Sequence, residues 1–279
     1  IHGAHGYLLS SFLSGVTNLR SDAWGGSLEN RARMLLETIR ATRKAVGADF
    51  PISVKLNSAD FQKGGFSNEE CLKVVDWLNE AGIDLLEVSG GSYEQPRLLG
   101  YEGKAKDVAG YRAPDQAEAP KQLESTKKRE AYFLEYATAI RRVAKMPMLV
   151  TGGFRTREGM DEALASGDCD VVGLGRPLCG ETDLPKRLLS GAIRELPRYE
   201  KNMRLGPGIF APTTKLHLFR LINVFGQQGW YYLQLLRLAD GLKPNFKLGV
   251  FGAFTGYLFD EYKKAWALHR ARRAAAKAA

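Results

Sequence analysis

Residues 146–177 read MPMLVTGGFRTREGMDEALASGDCDVVGLGRP. Two apolar runs, MPMLVTGG (146–153) and CDVVGLG (169–175), flank an amphipathic stretch, REGMDEALASG (157–167). Such a unit reads as strand, crossover helix, strand, with the strands parallel and covered by helices. Both runs end in glycine pairs, TGGFRT (151–156) and GLGRP (173–177). Glycine lets backbone N–H groups approach an anion closely, and a helix N-terminus adds a favourable dipole. Arg176 adds a bidentate phosphate donor. Short loops between strands and helices need glycine in any case, so each pair alone is a weak signal, and it is their repetition one unit apart that points to a phosphate group. Neither GxGxxG nor the P-loop lysine pattern is present.

The alternation continues toward the N-terminus. LENRARMLLETIRATRKAV (28–46) has helical spacing, with Ser27 as N-cap and Gly47 as stop. PISVKL (51–56) and IDLLEVSG (83–90) are strands, and NEECLKVVDWLNEAG (68–82) is the helix between them. A polar segment runs from Gly91 to about Ser125, and KKREAYFLEYATAIRRVA (127–144) is a further helix. Both an open doubly wound sheet and a (β/α)8 barrel fit this pattern. In barrels a phosphate site is often built from the loops after strands seven and eight. If 173–175 ends strand eight, 147–151 is strand seven, 83–88 strand six and 52–56 strand five. The opening stretch, IHGAHGYLLSSFLS (1–14), then sets His2 at the C-terminal end of strand four, on the catalytic face.

On that placement His2 and His5 are positioned to hydrogen-bond a substrate carbonyl oxygen, Tyr7 to deliver a proton, and Lys55 to hold negative charge on a cofactor ring. A structural loop pair and half of a metal site are the other readings of the histidines, though no third ligand is evident. Lys55 also reads as a solvated strand tip. The three cysteines, Cys71, Cys169 and Cys179, have no CxxC spacing, so neither a zinc site nor an iron–sulfur cluster is encoded, and their sparse, odd count fits a reducing compartment. The longest apolar run, LGVFGAFTGYLF (248–259), is too short to span a bilayer. Of the net charge of +9, six charges come from Lys263, Lys264, Arg270, Arg272, Arg273 and Lys277. The tail WALHRARRAAAKAA (266–279) reads as an Ala-rich helix fraying into solvent, with an anionic surface or partner as the other reading.

His2-Gly3-Ala4-His5-Gly6-Tyr7-Leu8-Leu9, followed by Phe12-Leu13-Ser14, Asn18, Arg20, Asp22 and Gly25-Gly26-Ser27-Leu28-Glu29-Asn30-Arg31, closely resembles the Old Yellow Enzyme family, the NADH:flavin oxidoreductases. The likeness continues through VKLNSADF (54–61), SGGSYEQP (89–96), STKKREAYFLEYA (125–137), TGGF and GLGRP, and covers residues 1 to about 190. INVFGQQGWYYLQLLRLADG (222–241) is similar to the C-terminal extension of one branch of the family. The sequence departs from the family pattern at Trp24, where tyrosine is usual, and at Gly15, where proline is common.

The resemblance implies an FMN-dependent (β/α)8 TIM barrel in which NADH or NADPH reduces the flavin and flavin N5 passes a hydride to the β-carbon of an activated alkene, such as an enone or nitroalkene. His2 and His5 match the pair that polarises the substrate, and Tyr7 matches the tyrosine that protonates the α-carbon. Lys55 matches the cation beside flavin N1 and O2, and Gly152, Gly153, Phe154, Gly175 and Arg176 match the phosphate cradle. Residues 1–190 are then the C-terminal half of the barrel, from the end of strand four to strand eight, and 191–279 a helical extension with a basic tail. The chain is thus expected to be a fragment of a longer enzyme. The expectation is a cytoplasmic protein acting on a small electrophilic alkene, with no metal, nucleic-acid partner or membrane span and with a homo-oligomer open. A non-catalytic barrel remnant and a dienoyl-CoA reductase-like relative lacking the iron–sulfur domain are the competing readings.

Overall fold

The computed structural model describes residues 1–91 and 134–278. These fall into two compact units, Ile1–Gly175 and Arg176–Ala279, each treated by itself below. The polar segment after Gly91, most of SGGSYEQP and STKKREAYFLEYA, and the first part of the 127–144 helix lie outside the described residues.

The first unit contains five strands: β1 (His2–Gly3), β2 (Ser53–Asn57), β3 (Leu85–Ser89), β4 (Met148–Thr151) and β5 (Val171–Gly173). All four pairings are parallel, and the order across the sheet is the order along the chain. A doubly wound sheet reverses its order at a switch point, whereas a barrel wall winds in one direction. The described strands follow the barrel-like order.

Helices α1 (Leu8–Leu13), α2 (Leu28–Val46), α3 (Asn68–Glu80), α4 (Leu134–Arg141) and α5 (Arg157–Ala165) accompany the strands. Their ends are set by capping. The Ser27 hydroxyl accepts from the Asn30 amide, and Gly47 ends α2 at φ 87°. Ser67 and Glu70 form a capping box at the head of α3. Thr156 caps α5 by accepting from the Gly159 amide. β4 is shorter than its apolar run, because Gly152 at φ 143° and Gly153 at φ 84° carry the backbone out of the strand.

Alternation along the strands divides the sheet into two faces. Val54, Leu56, Leu86, Val88, Met148 and Val150 are buried, as are Leu35 and Ile39 of α2 and Val74, Val75 and Leu78 of α3. The other parity carries Lys55, Asn57, Glu87, Ser89 and Thr151. Runs that read as uniformly apolar therefore have one packed face and one face with polar groups near the strand ends.

In the second unit the long helices are α7 (His217–Ala239) and α8 (Val250–Ala278), after the short α6 (Leu184–Leu189). The sequence GWYYLQLLRLADG (229–241) reads as an amphipathic helix stopped by Gly241, but the helix begins twelve residues earlier, at His217, and the tail helix begins at Val250 rather than in WALHRARR. LGVFGAFTGYLF reads poorly as a helix because of its glycines. Packing against α7 offsets this: a Cβ at Gly226 would stand 2.6 Å from the Val250 carbonyl oxygen, and one at Gly229 would stand 2.9 Å from that of Ala253, so these two α7 glycines let the backbone of α8 approach closely. Trp230 is buried with Met203, Val250 and Ala253.

Leu35 is fully buried. Leu35→Ala is expected to cost the first unit about 2–5 kcal/mol, read as a lower urea midpoint by circular dichroism.

Candidate active site

Strand register brings the predicted polar residues together. His2 pairs with Lys55, and Lys55 with Glu87, across β1, β2 and β3. Three titratable side chains thus stand in one row on one face. The Lys55 ammonium lies 2.9 Å from a Glu87 carboxylate oxygen, both half-buried. The same Glu87 oxygen accepts from the Thr151 hydroxyl at 2.7 Å. Glu87 was not singled out from the sequence. The available signal was a carboxylate in the middle of the apolar run IDLLEVSG, three residues after Asp84 at its start.

His5 and Tyr7 are carried back toward His2 by a tight turn. His5 has φ 64° and Gly6 φ 80°, and the Tyr7 amide donates to the Ala4 carbonyl at 3.3 Å. Two successive positive φ values closed in this way form a type I′ turn. The His5 amide donates to Asn57 Oδ1 at 3.2 Å. Asn57 Nδ2 in turn donates to Asp60 Oδ1 and to the Gly91 carbonyl, each at 2.9 Å. Asn57 is 1% exposed, so a buried amide at the end of β2 anchors the turn. The ring centroids of His2 and His5 are 5.2 Å apart at 88°, and those of His2 and Tyr7 4.9 Å apart. Tyr7 is 48% exposed, so its phenol is open to a small molecule.

Both imidazoles are held neutral near pH 7. Lost hydration and then the Lys55 ammonium lower the pKa of His2. Burial first, then His2 and Lys55, bring His5 down to about 4. His2 Nδ1 accepts from the Ala4 amide at 3.3 Å, which puts the proton of the neutral ring on Nε2. His5 Nε2 lies 2.7 Å from the Ser89 hydroxyl. Ser89 and Asn57 are strand-end residues that pattern reading passed over, since Asn and Ser at a strand end read as turn formers.

Gly152 and Gly153 follow β4 and leave it at positive φ. The Phe154 side chain is 1% exposed and belongs to the core, so what it can offer a cofactor is its backbone. Arg155, also buried, donates to the Phe154 carbonyl at 2.8 Å. It brings a second cation beside the glycine pair that the sequence reading did not single out. A Cβ added at Gly175 would meet nothing within 4 Å, so the end of β5 has room for a bound group. Arg176 opens the second unit, at the head of a short turn, Arg176–Cys179.

Residues 1–195 match the NADH:flavin oxidoreductase / NADH oxidase family model, and the chain belongs to that family. Its members are oxidoreductases that use FMN and NADH. The chain is 38% identical over 187 residues to the NADH-dependent flavin oxidoreductase iliE of Neonectria sp. (strain DH2), covering 67% of this chain and 23% of the relative. It is 34% identical over 249 residues to the NADH-dependent flavin oxidoreductase iccE of Talaromyces variabilis, covering 86% of this chain and 54% of the relative. The chain therefore spans about half or less of these relatives. Among solved structures, a 2-naphthoyl-CoA reductase in complex with 2-naphthoyl-CoA aligns with a TM-score of 0.55 at 31% identity, over 68% of this chain and 26% of that one.

The lowered pKa of His5 has a definite sign for stability. Between the ordinary histidine value of 6.5 and about 4 the unfolded chain binds more protons at this ring than the folded chain. Stability tied to the neutral ring is complete above 6.5 and is lost as pH falls toward 4. An NMR titration is expected to place the His5 midpoint near 4, and Lys55→Met is expected to raise it, because the ammonium is one of its causes. A midpoint at 6.5 in the unmodified chain would mean that the ring is hydrated and distant from Lys55.

Proposed function

We propose that this chain carries the substrate half of an FMN-dependent ene-reductase that uses NADH or NADPH to reduce activated alkenes. The observation that carries the proposal is the gathering of His2, His5 and Tyr7 beside the Lys55–Glu87 pair at the C-terminal ends of parallel strands. Two neutral imidazoles with fixed nitrogens suit an oxygen that gains charge as the β-carbon is reduced. His2 donates from Nε2. A Ser89 hydroxyl that donates to His5 Nε2 leaves the proton on Nδ1, so that His5 donates from that atom. The phenol of Tyr7 then gives its proton to the α-carbon, and solvent restores it.

The residues present fit FMN. Gly152 and Gly153 turn backbone away from β4, Gly175 leaves open space, and Arg155 and Arg176 supply cations near the two strand ends in sequence. When bound and reduced by NADH, the flavin supplies the hydride. Lys55 holds positive charge for the flavin ring, and Glu87 fixes the direction of that ammonium. In this reading residues 1–190 make the second half of a (β/α)8 barrel, with β1–β5 as strands four to eight, and 191–279 form the extension. The likeness to a 2-naphthoyl-CoA reductase favours a carbonyl conjugated to the reducible bond as the activating group.

Two measurements test this reading. Titration of the purified chain with FMN, followed by flavin fluorescence, is expected to saturate at one equivalent and to weaken with Arg176→Ala; absence of binding would overturn the proposal for this chain. With flavin bound, Tyr7→Phe is expected to slow reoxidation by cyclohexenone by about 10²- to 10⁴-fold while leaving reduction by NADH unchanged. Equal loss in both steps, or loss of flavin, would make Tyr7 structural.

A further inference from the structure

The outward face of α8 has no role in the site or in the core. The helix meets α7 through Val250, Ala253 and Tyr257. On the opposite side Phe251, Leu258, Phe259, Tyr262 and Trp266 are exposed, by 46% to 81%. Their spacing of 7, 1, 3 and 4 residues keeps them on one stripe of a 3.6-residue helix. The same stripe continues into Arg270 and Arg273, and the Arg270 guanidinium lies over the Trp266 ring at 4.8 Å. Lys263 and Arg272 border it and are exposed.

Charge distinguishes the possible occupants. From Gly241 to the C-terminus the only acids are Asp260 and Glu261, and both pair with Lys264, at 2.6 and 3.4 Å. The aromatic stripe itself carries no acid. A second copy would set cations against cations. An RNA would engage the arginines but leave Phe251, Leu258 and Phe259 in water. An anionic bilayer surface satisfies both halves: headgroups neutralise the arginines, Trp and Tyr sit at headgroup depth, and Phe and Leu enter the acyl boundary. No described helix is long and apolar enough to cross a membrane.

We propose that the Phe251–Arg273 stripe of α8 docks the protein on anionic lipid surfaces. Sedimentation of the full chain with phosphatidylserine-containing vesicles is expected to capture it, pure phosphatidylcholine vesicles to capture it far less, and raised salt to release it. Phe259→Ser with Trp266→Ser, and separately Arg270→Gln with Arg273→Gln, are each expected to weaken binding on the order of tenfold. All four positions are exposed, and unchanged circular dichroism would confirm that the variants keep their fold. Three results would overturn the proposal: no vesicle binding, binding that the aromatic pair does not affect (a polyanion site only), or an aromatic-dependent dimer in sedimentation velocity without lipid binding.

Discussion

The first unit is organised around one ion pair. Lys55 and Glu87 face each other across neighbouring parallel strands, 2.9 Å apart and partly out of water. A charge removed from water needs a partner, and removing either member leaves the other uncompensated. The pair also fixes strand register. A slip of one residue would exchange Lys55 with Leu56 and Glu87 with Val88, turning two charges toward the face that packs on helices. The alignment of His2 with Lys55 follows from the same constraint.

Lys55 and Glu87 act in opposite directions on the histidines. The ammonium lowers both imidazole pKa values and the carboxylate raises them, yet the net shift is downward because lost hydration is the largest cause. The site thus holds a cation beside two neutral imidazoles, a charge state suited to hydrogen-bond donation. The turn at His5 contributes geometry. A non-glycine residue at positive φ is costly unless its surroundings hold it there. Here Asn57, itself fixed by Asp60 and Gly91, accepts from the His5 amide, and the Ser89 hydroxyl lies within hydrogen-bond distance of His5 Nε2.

Much of this was legible in the sequence. Ser27, Gly47 and the capping box at Ser67 announce helix ends by local chemistry, so α2 and α3 are readable without tertiary knowledge. His2, His5 and Tyr7 stand close in sequence and close in space. Glu87, Asn57, Ser89 and Arg155 were harder to read, because their importance comes from register between segments tens of residues apart. A lone Glu in an apolar run announces a special environment but not its partner. The start of α8 was hidden for another reason. Glycine-rich helix is locally unfavourable, and the compensation lies on α7, where Gly226 and Gly229 accept the backbone of α8.

That compensation bears on the second unit as a whole. Glycine in a helix interior costs about 1 kcal/mol relative to alanine, and α7 and α8 contain Gly226, Gly229, Gly252 and Gly256. Close contact of the two backbones, with Trp230 sealed between Met203, Val250 and Ala253, offsets this cost. Packing of this kind uses one face of α8 only. An Ala-rich or charged outer face would serve the hairpin equally well, and would avoid exposing Phe259, Tyr262 and Trp266 to water. The folding of the hairpin therefore accounts for Gly226, Gly229 and the buried tryptophan but leaves the aromatic stripe unexplained. Its composition answers to a surface that the stripe meets, and its acid-free arginines specify the charge of that surface.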